Sequence, residues 1–206
     1  MRNFMEQVVR RRDLVLGLPG ALLLPGTALA ADFIGEAADV RGTVIARQSA
    51  ESRSLKAGAG LMLKDSVETE AESIARLDLA GRTIVHLGSR ARLLIDRFVA
   101  ETGGVLELGE GAMLLDRAEE LPKIDLTIRS SFGVIAVRGT RFFAGPSRGA
   151  FGVFVDRGTV DVEAAGITRR LVAGDGVDIK VAGEPPSEIR KWGKPRIDEA
   201  LASVGL

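Results

Sequence analysis

From Asp39 onward, apolar and polar residues alternate with a period near two, and glycine interrupts the alternation roughly every 8–12 residues. Strands with one buried face produce this signal, because successive side chains point to opposite sides of a sheet. The pattern predicts strands over Asp39–Arg47, Ser66–Glu68, Ser73–Leu79, Thr83–Leu87, Gly104–Leu108 and Ala112–Leu115. It predicts further strands over Asp125–Arg129, Gly133–Val137, Arg141–Phe143, Phe151–Arg157, Thr159–Ala164, Ile167–Leu171 and Gly176–Val181. Ala80-Gly81-Arg82 reads as a hairpin turn, and Gly158 is expected to join its two flanking strands in the same way. Ala91–Val99 is ambiguous: Ala91, Leu93, Ile95 and Val99 alternate, whereas Leu94 and Phe98 would suit a helix. The strand reading is taken.

One pattern, Leu-x-apolar-Gly-x-Gly-apolar-x-apolar, occurs at Leu55–Leu63, Leu106–Leu114 and Leu171–Ile179. The triplet Arg-Gly-Thr occurs at 41–43, 138–140 and 157–159. The unequal spacing excludes a fixed-period solenoid. It fits one strand–turn–strand corner reused as a sheet winds, with a glycine at positive φ in each Gly-x-Gly. The expected fold is all-β, with many short strands wound into a β-helix-like or sandwich body. A short helical tail should follow Gly183-Glu-Pro-Pro186, capped by Asp198 and burying Leu201 and Val204, with Trp192 laid on the β-body.

The first thirty residues read as an address. Arg10, Arg11 and Arg12 precede the apolar run Leu14–Leu24, and Ala28 and Ala30 form the small pair of a cleavage site. The run is too short to span a membrane, which takes about 20 apolar residues. Arg11-Arg12-Asp13-Leu14-Val15 also resembles a twin-arginine export signal, although Arg10 stands where Ser or Thr is usual. Sec export remains the alternative. Either route predicts a periplasmic protein cleaved near Ala30, with no stable membrane span after processing. The expected division is an export signal over 1–30, a β domain over 31–183 and a tail over 184–206.

Composition narrows the chemistry. The 206-residue chain has 28 basic and 28 acidic side chains, one His, one Trp, no Tyr and no Cys. Balanced charge argues against a nucleic-acid partner. The lack of Cys excludes thiolate catalysis and Cys-ligated metals, and a single His excludes sites needing two imidazoles. No cofactor and no metal are expected. Gly145-Pro-Ser147-Arg-Gly149 matches the serine-hydrolase Gly-x-Ser-x-Gly, but a strand follows where that chemistry needs a helix. His86, the only imidazole base, should point away from the core, opposite in parity to Val85 and Leu87. Ser147 is therefore read as a hairpin residue and the chain as no enzyme. The acidic runs Glu68–Glu72 and Arg117–Glu120 lack calcium-loop spacing and read as solvated turns.

Taken in order, several segments resemble the periplasmic FecR-type domain: Val40–Val44, Gly60–Thr69, Ser73–Gly88, Ile128–Phe142, Val153–Val162 and Leu171–Gly176. The resemblance runs from about Val40 to Val181. It implies a non-enzymatic domain of envelope signalling proteins, which in iron-citrate regulators passes a signal from an outer-membrane transporter to a sigma factor. No cytoplasmic anti-sigma segment is read here, so direct sigma-factor contact is not expected. The best-marked family residues are Arg138, Gly139, Thr140 and Gly158, read as structural rather than as an anion clamp. The function implied is a binding or scaffold domain acting through an envelope protein partner, with signal relay as its setting. The alternative is a cell-wall glycan module, weakened by the scarcity of aromatic residues; a serine hydrolase at Ser147 ranks last.

Overall fold

A computed structural model describes residues 33–206; the export-signal residues Arg11, Arg12, Ala28 and Ala30 lie outside them. Eighteen strands form two nine-stranded sheets. Sheet A holds β1 (Phe33–Arg41), β4 (Ala59–Met62), β6 (Ile74–Leu79), β7 (Thr83–Leu87), β10 (Met113–Arg117), β13 (Arg141–Ser147), β14 (Ala150–Arg157), β17 (Asp175–Ile179) and β18 (Arg190–Lys191). Sheet B holds β2 (Val44–Gln48), β3 (Glu51–Ser54), β5 (Ser66–Thr69), β8 (Arg92–Val99), β9 (Gly103–Glu110), β11 (Asp125–Ser130), β12 (Gly133–Val137), β15 (Thr159–Ala164) and β16 (Ile167–Val172). Leu77, Val85, Leu115, Phe142 and Val153 of sheet A meet Leu93, Ile95, Leu106, Ile128 and Val160 of sheet B in one buried core. The sandwich alternative is the one realised.

The chain steps between the sheets and advances along both, so sheet A runs β4-β1-β6-β7-β10-β13-β14-β17-β18 while sheet B runs β3-β2-β5-β8-β9-β11-β12-β15-β16. All three Leu-x-apolar-Gly-x-Gly repeats are crossings from sheet B to sheet A, and each has one glycine at positive φ (Gly58, Gly111, Gly174). The repeated corner is a change of sheet. The three Arg-Gly-Thr triplets are crossings as well. Two predicted connections are corrected accordingly. Asp39–Arg47 is two strands in different sheets, divided at Gly42, and Gly158 joins β14 to β15 across the sandwich rather than in a hairpin. Alternation alone cannot distinguish these cases, because a crossing at a glycine leaves the period of two intact on both sides.

A switch in phase occurs at β10. The chain crosses to β10 at one end of the sandwich and leaves it for β11 at the other. As a result β11 runs parallel to β9, from Asp125 beside Gly103 to Ser130 beside Leu108, the only parallel pair among the described strands. Crossings then gather at the end that carries Gly139 and Gly158. The opposite end is left to hairpin tips, where Phe132 stacks on Phe151 with ring centroids 4.6 Å apart and covers the core.

The tail is ordered against the outer face of sheet A. Helix α1 spans Lys194–Ser203 after Gly193, with Pro195 in its first turn. Asp198 is not its cap; it lies inside the helix and accepts from Lys194 Nζ at 2.8 Å. Ala200 and Val204 bury against Ala112, Leu114, Phe143, Phe154 and Trp192 in a second apolar cluster, while Leu201 is only partly covered. Trp192 is 8% exposed. Its ring stacks 5.2 Å from Phe154, over Gly152 and Gly176, where any β-carbon would intrude on the indole.

Candidate functional site

The phase switch brings three connections to one end of the sandwich: residues 118–124, 138–140 and 157–158. Together with β11, β12 and β15 they line a groove of about 480 Å³ that contains Lys123, Asp125, Arg138, Gly139, Gly158 and Asp161. Its floor is a cross-strand row on the outer face of sheet B, Thr127–Ala136–Asp161–Arg170. Ala136 is the smallest member, so the row dips there. Arg170 makes paired hydrogen bonds to the Asp161 carboxylate at 2.7 and 2.9 Å, and these hold that carboxyl below the usual range. Arg138 stands exposed at the rim and reaches Asp125 at 3.3 Å. With both partners in water such a pair is weak, about 0–1 kcal/mol. Its charge is available to a partner.

Gly139 and Thr140 cross from β12 to β13, and Gly158 crosses back beside them. Thr140 is fully buried, and its carbonyl accepts from Arg117 N–H at 3.1 Å. Arg117 overturns the solvated-turn reading at that position: it is 1% exposed. Its guanidinium donates to Thr83 Oγ1 at 3.0 Å and to the Pro122 carbonyl at 2.9 Å, which fastens the 118–124 connection to the core. Burial lowers the Arg117 pKa, with Arg82 adding repulsion; arginine nevertheless stays charged. Arg157 Nη2 donates to the Arg117 carbonyl and to Asp116, each at 2.9 Å. Arg141 completes a bridge to Asp116 at 3.3 Å and Asp156 at 3.2 Å. Asp116, Arg141 and Arg157 share one cross-strand row, a relationship only the strand register reveals.

The hydrolase residues are not brought together. Ser147 ends β13 opposite Ala150 at a hairpin, and its Oγ accepts from Arg196 Nε at 3.0 Å. His86 pairs with Leu114, and Leu114 with Phe143, so it lies two strands across and four residues along from Ser147. At about 4.8 Å per strand and 3.3 Å per residue, that is roughly 16 Å. A general base must approach within about 3 Å. His86 does face away from the core, but the outer face is partly covered and the ring is half-buried. Desolvation, then Arg76 and Arg141, lower its pKa against the opposing pull of Asp116. Among the described residues, no cluster of three or more His, Asp or Glu is placed to hold a metal ion. The glycan reading loses its best platform, because Phe154 covers one face of Trp192 and the Arg196 guanidinium lies 3.7 Å from the ring centroid.

Residues 65–161 match the family model described as FecR protein. Two crystal structures of "a putative anti-sigma factor" from Parabacteroides distasonis share the fold, each with a TM-score of 0.54 over 66% of this chain, at 17% and 16% identity. This chain spans 64% and 63% of the length of those two. No curated protein matches the sequence. The matched stretch contains β5 to β14 and all three connections that frame the groove, and over those residues the chain matches a FecR-type domain.

Proposed function

We propose that this protein is an exported, non-catalytic binding domain that relays a signal in the cell envelope through contact with another protein, using the groove between the 118–124, 138–140 and 157–158 connections. The observation that carries this reading is the placement of the family-marked residues. Gly139, Thr140 and Gly158 interlock at the end of the groove, while Arg138 and Lys123 beside them hold their charges in solvent. A rigid base beside exposed charged groups suits recognition. The separation of Ser147 from His86 supports the non-catalytic part. Periplasmic location rests on the leader of residues 1–30, and among the described residues no helix is long and apolar enough to cross a membrane. Direct contact with a sigma factor is not part of the proposal.

The test is capture from envelope extracts by immobilised protein, compared with the double variant Lys123→Glu/Arg138→Glu. One protein retained in stoichiometric amount by the parent and lost by the variant is the expected result. Retention on purified peptidoglycan with no protein partner would replace this reading with the glycan one.

A further inference from the structure

Sheet B ends on β16, and that edge is the least blunted in the fold. All six residues pair with β15 in unbroken antiparallel register, from Val172 beside Thr159 to Ile167 beside Ala164. No strand follows on the other side among the described residues. There Val172 N–H donates to the Asp175 carboxylate at 3.0 Å, so Val172 faces away from β15. In an antiparallel ladder each residue turns its N–H and C=O the same way, and the direction alternates along the strand. Thr168 and Arg170 share the parity of Val172 and so present their backbone groups to the open side.

The other three edges are protected. β3 and β4 have four residues each, and Arg53 crosses between them to the Gly60 carbonyl at 3.0 Å and to the buried Asp65. β18 has two residues. Charged side chains commonly guard an edge of the length of β16, and Arg169 and Arg170 occupy that place. Both are paired within the chain, Arg170 with Asp161 and Arg169 with Glu188 at 2.6 Å, yet the Arg170 side chain stays 72% exposed and can meet a second carboxylate. Ile167 and Val172, at 42% and 48% exposure, offer apolar contact at either end of the strand.

We propose that β16 is a strand-addition edge that receives an extended segment of a partner protein bearing an acidic side chain opposite Arg170. The inference rests on the protein-binding reading above and adds the form of the partner. Strand addition draws affinity from main-chain hydrogen bonds and specificity from alternate side chains. On the outer face the row Asp161–Arg170 alternates in sign, and an acid continues the alternation. A second copy of this chain fits poorly, since centred antiparallel pairing through the outward groups of Thr168, Arg170 and Val172 sets Arg170 opposite Arg170 of the other copy, and like charges directly opposite are destabilising.

The probe is a dye-labelled peptide that alternates valine with glutamate, compared with one carrying lysine for glutamate. The parent protein should bind the glutamate peptide saturably and roughly tenfold more tightly than the lysine peptide, a difference of about 1.4 kcal/mol. Binding should protect the Thr168 and Arg170 amides from hydrogen exchange. Thr168→Pro removes an outward donor at an edge position that tolerates proline and should abolish binding. The charge-swapped pair Asp161→Arg/Arg170→Glu should reverse the peptide preference and serves where Thr168→Pro does not fold. No binding, equal binding of both peptides by the parent, or unchanged binding by a folded Thr168→Pro would each overturn the proposal. Capture of the envelope protein by Thr168→Pro, with loss in Lys123→Glu/Arg138→Glu, would leave the groove reading standing and remove this one.

Discussion

Gly158 lies directly against Thr140: a β-carbon at position 158 would fall 2.6 Å from Thr140 Cγ2 and 3.0 Å from the Gly139 carbonyl oxygen. Its φ of +86° adds a backbone conformation that branched residues adopt only with strain. Two crossings that run in opposite directions between the sheets thus interlock at the end of the groove. Gly158→Val should lower stability by about 1–3 kcal/mol from backbone strain alone, with further loss from the clash. Urea unfolding would read this as a lower midpoint at unchanged slope. A midpoint equal to that of the parent would show that the crossings do not constrain each other.

The tail reports on itself, because Trp192 is the only tryptophan in the chain. Gly176→Ala places a methyl group within the indole ring. The emission of Trp192 should move to longer wavelength as the ring leaves Phe154, while the far-ultraviolet strand signal persists. Unchanged emission would mean that the seat yields easily and the tail is not held by shape.

Stability should depend on pH through the single histidine. The pKa of His86 lies below its ordinary value of 6.5, with burial as the main cause. Folding therefore favours the neutral ring: this contribution is complete above pH 6.5 and is lost as pH falls through the lowered folded value. Asp161 and Asp175, held below their ordinary 3.8 by Arg170 and Lys191, lose their contribution only in more acidic solution. Melting temperatures between about pH 7 and pH 5 should fall in the parent and fall less in His86→Asn. Equal slopes would assign the dependence elsewhere.

Ser147 is an acceptor for the tail. Ser147→Ala removes one hydrogen bond to Arg196, worth about 0.5–1.5 kcal/mol. Arg196 keeps its pairing with Asp178, including a 3.1 Å contact, and its place over Trp192. A fluorophosphonate probe should leave Ser147 unlabelled. Stoichiometric labelling that requires His86 would contradict the separation of the two residues.

Local alternation marks where strands lie but not which strands they join. The period of two at Ile74–Leu79 and Thr83–Leu87 located both strands and the hairpin between them. The strand reading of Ala91–Val99 holds as β8, in which Leu93 and Ile95 are buried, but a bulge between Ile95 and Arg97 shifts the phase so that Phe98 rather than Val99 enters the core. The seat of Trp192 on the β-body was legible too. Topology was not, because Gly81 turns within a sheet and Gly158 changes sheets although the residues around them alternate alike. Arg117 was misread as solvated: nothing in Arg117-Ala-Glu-Glu120 shows that Thr83, 34 residues earlier, supplies its partner. The groove depends on the parallel pairing of β9 with β11, a long-range choice that no local pattern encodes.

The most direct test of the central claim is site-specific photo-crosslinking in intact cells, with the photoreactive residue placed at Lys123 on the groove or at Lys56 on a crossing at the opposite end of the sandwich. Both side chains are exposed, so background capture should be equal. A protein-binding groove predicts one discrete protein adduct from position 123 that is absent from position 56 and disappears with Arg138→Glu. Adducts of the same pattern from both positions, or an adduct from 123 that survives Arg138→Glu, would contradict it.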